Sequence, residues 1–227
     1  MTIPIERRLV AEALGTMFLL AAVVGSGIMG DRLAGGNVAI ALLANTLATG
    51  AALVVLILTL GPISGAHFNP VVSIADGWAG SRPWAEVAAY VAAQVTGAFA
   101  GVALAHIMFG EPLFSASHHV RHGFAQAVSE FVATFGLLLV IHGCARHRPA
   151  AIPFAVGSYI VAAYWFTAST SFANPAVTLA RAVTDTFAGI RPEDVPPFIV
   201  AQFLGGLAAM VTVRFLYRGP LLSDVPS

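Results

Sequence analysis

Apolar residues dominate the chain in six long runs, and each run is long enough to cross a membrane as a helix. The runs lie near residues 9–30, 38–60, 84–108, 124–145, 150–168 and 196–218. About 20 residues of helix span the hydrocarbon core of a bilayer, so each run predicts one transmembrane helix. The pattern therefore indicates a multi-pass, all-α membrane protein.

Two further apolar segments, at about 67–79 and 172–186, are too short to cross. A helix of ten or so residues covers roughly half of the hydrocarbon thickness. Irregular backbone at membrane depth is tolerated only where it is buried in protein or lines a cavity. We therefore predict that both segments contain re-entrant half-helices.

The two halves of the chain repeat each other. The matching stretches are "AEALGTMFLL" at 11–20 with "SEFVATFGLL" at 129–138, "FNPVVSIA" with "ANPAVTLA", and "AAQVTGA" at 92–98 with "VAQFLGG" at 200–206. Each half has three membrane helices and one short segment, so the second copy must enter the membrane from the opposite side. We predict one transmembrane domain over residues 1–227, an inverted repeat with units at about 9–108 and 124–218.

Each short segment contains an Asn-Pro pair, Asn69-Pro70 in the first half and Asn174-Pro175 in the second. Asn is a favoured helix N-cap, and Pro is favoured at the first helical position. Inverted symmetry brings these two helix starts together near the middle of the membrane, where their partial positive charges oppose cations. Their amide N–H groups can donate to a solute oxygen, so the pattern favours a neutral solute with lone pairs.

Two glutamates lie inside apolar helices at matching places of the repeat. An unpaired carboxylate is costly at such a place, and a charged group within a membrane segment is typical of a functional site. We expect Glu12 and Glu130 each to accept hydrogen bonds from the backbone N–H groups of one Asn-Pro loop. The alternative is that each glutamate only joins neighbouring helices.

Composition and charge agree with this picture. Of 227 residues 58% are hydrophobic and 10% are charged, and the net charge of zero indicates no nucleic-acid partner. Seven arginines lie inside and four outside if both termini are cytoplasmic, in agreement with the positive-inside rule. The inside set is Arg7, Arg8, Arg82, Arg146, Arg148, Arg214 and Arg218, and the outside set is Arg32, Arg121, Arg181 and Arg191. We expect a multi-pass protein of the inner (plasma) membrane, in contact with the lipid bilayer.

Catalytic chemistry is not indicated. The sequence has no nucleophile-base pair and no metal-ligand spacing, so we expect neither an enzyme nor a cofactor. His118, His119 and His122 cluster in one loop, which is either a metal or pH-sensing site or a solvated loop. A secondary transporter remains the alternative to a passive channel, because inverted repeats and broken helices also build alternating-access carriers.

Together these motifs resemble the major intrinsic protein superfamily, the aquaporins and aquaglyceroporins. The matching stretches are Glu12 to Thr16, "SGAHFNP" at 64–70, "AQVTG" at 93–97, Glu130 to Thr134, "ANPAVT" at 173–178 and "AQFLG" at 201–205. The resemblance implies the aquaporin fold, with six transmembrane helices and two half-helices. It also implies a homotetramer with one pore per subunit and passive conduction of water or small neutral solutes.

The family's two pore triplets have counterparts here, and one filter position departs from the family. The triplets are Asn69-Pro70-Val71 and Asn174-Pro175-Ala176. The residue that follows the second triplet is normally an arginine in the family, and here it is Val177. The resemblance places two other filter positions at Thr49 and Ser171, and the fourth at either Tyr164 or Ala162 on the fifth helix.

Valine in place of arginine removes a positive charge and several donors and shortens the side chain, so we expect a wider filter. Similar bacterial channels that lack this arginine resemble those associated with arsenic resistance. This implies that polyols, undissociated arsenous acid and methylated arsenicals are solutes. Arg181 lies one helical turn beyond Val177, where it either supplies a displaced cation at the outer vestibule or caps the end of its helix.

Overall fold

The computed structural model describes residues 3–217, and eight α-helices lie within that range. Six are long: α1 (Ile5–Leu33), α2 (Val38–Ser64), α4 (Trp84–Phe109), α5 (Phe124–His147), α6 (Ile152–Phe166) and α8 (Val195–Leu216). Two are short: α3 (Pro70–Trp78) and α7 (Pro175–Arg181). Single 3₁₀ turns at Pro149–Ala151 and Pro192–Asp194 lead into α6 and α8.

The long helices match the six predicted runs. Each is long and apolar enough to cross a membrane, with α6 and α8 counted together with their 3₁₀ turns. The first helix begins at Ile5 and not near residue 9, because Pro4 sets the helix start and Glu6 places an acidic group in the first turn. The predicted end of the last run at residue 218 lies outside the described residues, as does Arg218.

Small residues let the long helices of each half pack closely. Helix α1 packs against α2 and α4, α5 packs against α6 and α8, and α2 joins the two halves by packing against α6. A Cβ on Gly97 of α4 would overlap the backbone of Ala13 on α1, and a Cβ on Gly205 of α8 would overlap the backbone of Phe131 on α5. The two halves therefore use the same close helix contact at matching places.

The short helices α3 and α7 begin as their Asn-Pro pairs predict. Asn69 and Asn174 are both in extended backbone, and each places proline at the first helical position. The side-chain oxygen of Asn69 accepts from the N–H of Val71 at 3.0 Å, and that of Asn174 accepts from the N–H of Ala176 at 3.0 Å. Each asparagine thus satisfies an N–H group that its helix leaves unpaired.

Candidate solute pore

One cavity of about 350 Å³ lies between the two halves and touches both capping asparagines, Asn69 and Asn174. His67 and Asp76 line it on the α3 side, and Arg181 lines it on the α7 side. We call these two parts the His67 end and the Arg181 end. The starts of both short helices therefore face a common space.

The two asparagines bind the opposite loops to each other. Nδ2 of Asn69 donates to the carbonyl oxygen of Ala173 at 2.7 Å, and Nδ2 of Asn174 donates to the carbonyl oxygen of Phe68 at 2.7 Å. This differs from the expectation that both amide N–H groups are free for a solute. An amide NH₂ carries two N–H groups, so one N–H of each asparagine remains available.

The loops before both short helices have an unusual backbone. Five non-glycine residues have positive φ angles between 48° and 60°: Ala66, Phe68, Thr170, Ser171 and Ala173. A non-glycine residue in this region costs on the order of 1–3 kcal/mol, so each loop needs strong contacts to hold it. Residues of both loops line the cavity, among them Ala66, Phe68, Ser171 and Ala173.

Glu12 of α1 supplies such contacts to the first loop. Its side chain is fully buried and accepts four hydrogen bonds. Oε1 accepts from Ser64 Oγ at 2.6 Å and from the N–H of His67 at 3.0 Å. Oε2 accepts from the N–H of Phe68 at 2.7 Å and from Gln94 Nε2 at 2.8 Å. Bonds to an ionised acceptor are stronger than neutral ones, so they offset strain in this loop.

Glu130 of α5 makes the matching contacts with the second loop. Oε1 accepts from the N–H of Phe172 at 2.9 Å, and Oε2 accepts from the N–H of Ala173 at 2.8 Å and from Gln202 Nε2 at 2.6 Å. Both glutamates therefore contact the loops that the sequence pairs them with. They also bond to α4 and α8, so each one joins neighbouring helices as well.

The structure distinguishes the two candidates for the filter position on the fifth helix. Ala162 is exposed on the outside of α6, whereas Tyr164 is buried and lines the cavity together with Thr49, Ser171 and Val177. The hydroxyl of Tyr164 donates to Thr49 Oγ1 at 3.4 Å. Of the two residues, only Tyr164 therefore contributes to the cavity wall.

Val71, the unusual third residue of the first triplet, does not line the cavity. It packs against α8, where a Cβ on Gly206 would overlap its Cγ1 methyl group. In the second half the triplet residue is the smaller Ala176, and the repeat places Ala98 at the position that corresponds to Gly206. The larger side chain of Val71 therefore fits because Gly206 has no side chain.

Arg181 lies in the wall of the cavity and not in an open vestibule, because only 2% of its surface is exposed. Its guanidinium carbon is 3.4 Å from the centre of the Phe172 ring, a cation-π contact. Nε donates to the carbonyl oxygen of Ala188 in the loop after α7. Arg181 is the last residue of α7, so its charge lies at the helix C-terminus as in the capping alternative, but this bond goes to the following loop and not to the last carbonyls of the helix.

Two of the three loop histidines, His118 and His122, pair with acidic residues. Nδ1 of His118 lies 2.8 Å from Oδ2 of Asp185, and Nδ1 of His122 lies 3.3 Å from Oδ1 of Asp194. Bonds from the N–H and ring of His118 lower the pKa of Asp185 below its ordinary value. Within residues 3–217 no group of three or more His, Cys, Asp or Glu residues is placed to hold a metal ion. The side chains of His118 and His122 are 88% and 73% exposed, as the solvated-loop alternative predicts.

Comparison with known proteins identifies the family. The sequence model described as "Major intrinsic protein" matches residues 1–173 and 144–225. The aquaglyceroporin AqpS of Rhizobium meliloti (strain 1021) is 58% identical over 214 residues, which cover 94% of this chain and 91% of that protein. The glycerol uptake facilitator protein of Bacillus subtilis (strain 168) is 31% identical over 189 residues, covering 73% of this chain and 68% of that protein.

Solved structures include the same fold. The X-ray structure of the aquaglyceroporin from Plasmodium falciparum superposes with a TM-score of 0.68 at 21% sequence identity, covering 95% of this chain and 96% of that one. A sequence identity of 21% demonstrates a shared fold and nothing more. The family is shown by the match to the sequence model. The chain belongs to the major intrinsic protein family, whose members are membrane channels and not enzymes.

Proposed function

We propose that the protein is a passive channel for water and small neutral solutes such as glycerol. The observation that carries this proposal is the single cavity that touches Asn69, Asn174 and the four filter positions. Two relatives are named for related functions, one as an aquaglyceroporin and one as a glycerol uptake facilitator. The filter in this proposal consists of Thr49, Tyr164, Ser171 and Val177.

The cavity wall suits a solute that has an apolar backbone and polar edges. Leu53, Leu137 and Ile160 contribute an apolar side in this proposal, and residues of both Asn-Pro loops, whose backbone carries carbonyl and N–H groups, line the same cavity. A polyol can place its C–H groups against the apolar side and its hydroxyl groups against backbone carbonyls and amide N–H groups. No ionised solute group is needed for this fit, so a neutral molecule passes without losing an ionic hydration shell.

Val177 widens the choice of neutral solutes in this proposal. An arginine at that position would reach into the path and present several donors, and the short apolar valine does neither. We include undissociated arsenous acid and methylated arsenicals among the solutes. The arsenic solutes rest on the resemblance to arsenic-resistance channels and on the missing arginine.

We further propose a homotetramer in the inner (plasma) membrane, with both termini cytoplasmic. The arginine distribution supports this orientation. Native mass measurement in mild detergent tests the assembly, which should have four times the 23.5 kDa mass of one chain. Protease protection of tagged termini in sealed vesicles tests the orientation.

The central experiment follows the swelling of liposomes that contain the purified protein, using stopped-flow light scattering. Water, glycerol and arsenous acid are compared for the wild type, Val177→Arg and the matched control Val177→Met, which adds length without charge. We expect fast, unsaturable entry in the wild type, with Val177→Arg reducing solute entry far more than water entry. Equal loss of water and solute entry would mean that the constriction lies elsewhere, and saturable or ion-driven entry would favour a secondary transporter.

A further inference from the structure

Two buried arginines lie close together near the Arg181 end of the cavity. The guanidinium carbons of Arg181 and Arg121 are 3.4 Å and 4.9 Å from the centre of the Phe172 ring. Only 2% of Arg181 and 7% of Arg121 is exposed. Among the described residues neither arginine forms an ion pair, since every ion pair in that part of the chain involves other side chains.

The guanidinium group of Arg121 donates hydrogen bonds to backbone carbonyls, and among the described residues no carboxylate lies within ion-pair distance of it. Nε donates to the carbonyl oxygen of Gly189 at 2.8 Å, and Nη1 donates to that of Ser169 at 3.2 Å. Burial lowers the pKa of Arg121 to about 10, so the side chain remains protonated at neutral pH. It is not among the side chains that line the cavity. Arg121 therefore adds positive charge from behind Phe172 without reaching the solute path.

Arg181 has unused donors at the cavity wall. Nε bonds to Ala188, while Nη1 and Nη2 have no hydrogen-bond partner within the part of the chain that the structure describes. Ser171, which lines the same cavity and is only 3% exposed, also has a hydroxyl without a partner in that range. A buried charge and buried polar atoms are costly unless something pairs with them.

We propose that the Arg181 end of the cavity binds one small planar oxyanion, of the nitrate or carboxylate class, through Arg181 and the Ser171 hydroxyl. The forked N–H groups of a guanidinium match two oxygens of a planar oxyanion. Two neighbouring arginines without an acidic partner supply the charge that attracts it. The bound anion occupies the solute path and so competes with neutral solutes, and this last step alone rests on the proposed channel function.

Binding is tested on the purified protein in detergent by thermal unfolding, with nitrate as the probe. Chloride, a spherical anion that has no pair of oxygens for the guanidinium fork, serves as the control at equal ionic strength. A ligand that binds only the folded state raises the unfolding temperature as its concentration rises above its dissociation constant. We therefore expect a concentration-dependent rise with nitrate and none with chloride.

Three variants locate the site. Arg181→Lys keeps the charge but removes the fork, so the half-maximal nitrate concentration should rise about tenfold. Arg121→Lys is the matched control, because it makes the same change at a side chain that contacts Phe172 but does not line the cavity. It should leave that concentration within about twofold. Ser171→Ala removes only the hydroxyl and should weaken binding several-fold, which keeps the test valid if Arg181→Lys fails to fold.

Equal effects of nitrate and chloride, or an unchanged nitrate effect in both Arg181→Lys and Ser171→Ala, would overturn the site. Glycerol entry into liposomes then separates the two proposals. Nitrate should slow wild-type glycerol entry at the concentrations at which it binds, and binding without slowing overturns the competition. Binding in a protein that admits no glycerol leaves the site standing and defeats the channel, whereas glycerol entry without nitrate binding does the reverse.

Discussion

The substitution Glu130→Gln tests whether the buried carboxylate holds the loop before α7. Glu130 accepts hydrogen bonds from the N–H groups of Phe172 and Ala173 and from the side-chain amide of Gln202. A glutamine side chain has nearly the same shape, but it replaces one of the two acceptor oxygens with an NH₂ donor. That donor then faces the N–H group of either Phe172 or Ala173.

The loss of stability in Glu130→Gln depends on which hydrogen-bond partners of Glu130 can adapt to the glutamine side chain. Gln202 can rotate its amide and accept a bond, since its Oε1 has no partner within residues 3–217, but a backbone N–H cannot reverse its direction. One buried N–H is left without an acceptor, at about 1–3 kcal/mol, and the remaining bonds lose the advantage of an ionised acceptor. The sum is about 2–4 kcal/mol, which at about 2–4 °C per kcal/mol lowers the unfolding temperature by roughly 5–15 °C.

Thermal unfolding in detergent measures this change, and glycerol-driven swelling of liposomes measures its effect on the pore. Glu6→Gln is the matched control, because it removes the same charge from an exposed position in the first turn of α1. We expect Glu130→Gln to unfold at a lower temperature and to conduct less. If the two variants unfold and conduct alike, the carboxylate does not hold the loop.

Three further predictions concern packing, pH and protons. Gly206→Ala should destabilise the fold by about 1–3 kcal/mol, because the new methyl group overlaps Val71. Adding Val71→Ala should recover much of this lost free energy of unfolding. If the losses of the two single variants simply add in the double variant, the two side chains do not pack as described. Because the pKa of Asp185 is lowered, the stability that its carboxylate contributes is present above the ordinary pKa of 3.8 and is lost as the pH falls through the lower pKa of the folded state. His118→Ala removes the side-chain bond and should raise the pKa of Asp185 in an NMR titration. An unchanged pKa would refute the contribution of the His118 side chain. The wild type should admit few protons despite Val177, since the paired helix starts oppose cations, and rapid acidification of a pH-sensitive dye inside vesicles would count against this barrier.

Much of the fold could be predicted because its signals are local. Apolar run length gives the six long helices, and the Asn-Pro pairs give the starts of α3 and α7 at Asn69 and Asn174. The contacts of Glu12 and Glu130 with the loops were also accessible, since a buried carboxylate needs several donors and loop N–H groups supply them. These inferences need only the sequence repeat and the chemistry of one residue at a time.

Contacts that depend on the distance between separate segments could not be predicted. The bond from each asparagine to the opposite loop depends on how closely the two halves meet, and the sequence does not specify that distance. The approach of Arg121 to Phe172 depends on the path of a loop that has no periodic pattern. The choice of Tyr164 over Ala162 depends on the length of the turn after α6, which shifts any fixed count from Asn174.

The bonds from Asn69 to Ala173 and from Asn174 to Phe68 act as a brace across the middle of the molecule. A carrier that swings one half against the other about this plane would have to break both bonds in every transport cycle. The loops on either side of the brace are also anchored by carboxylates from two different helices. We therefore expect the centre of the cavity to stay fixed, and a gate that opens or closes this protein has to lie nearer to one of its two ends.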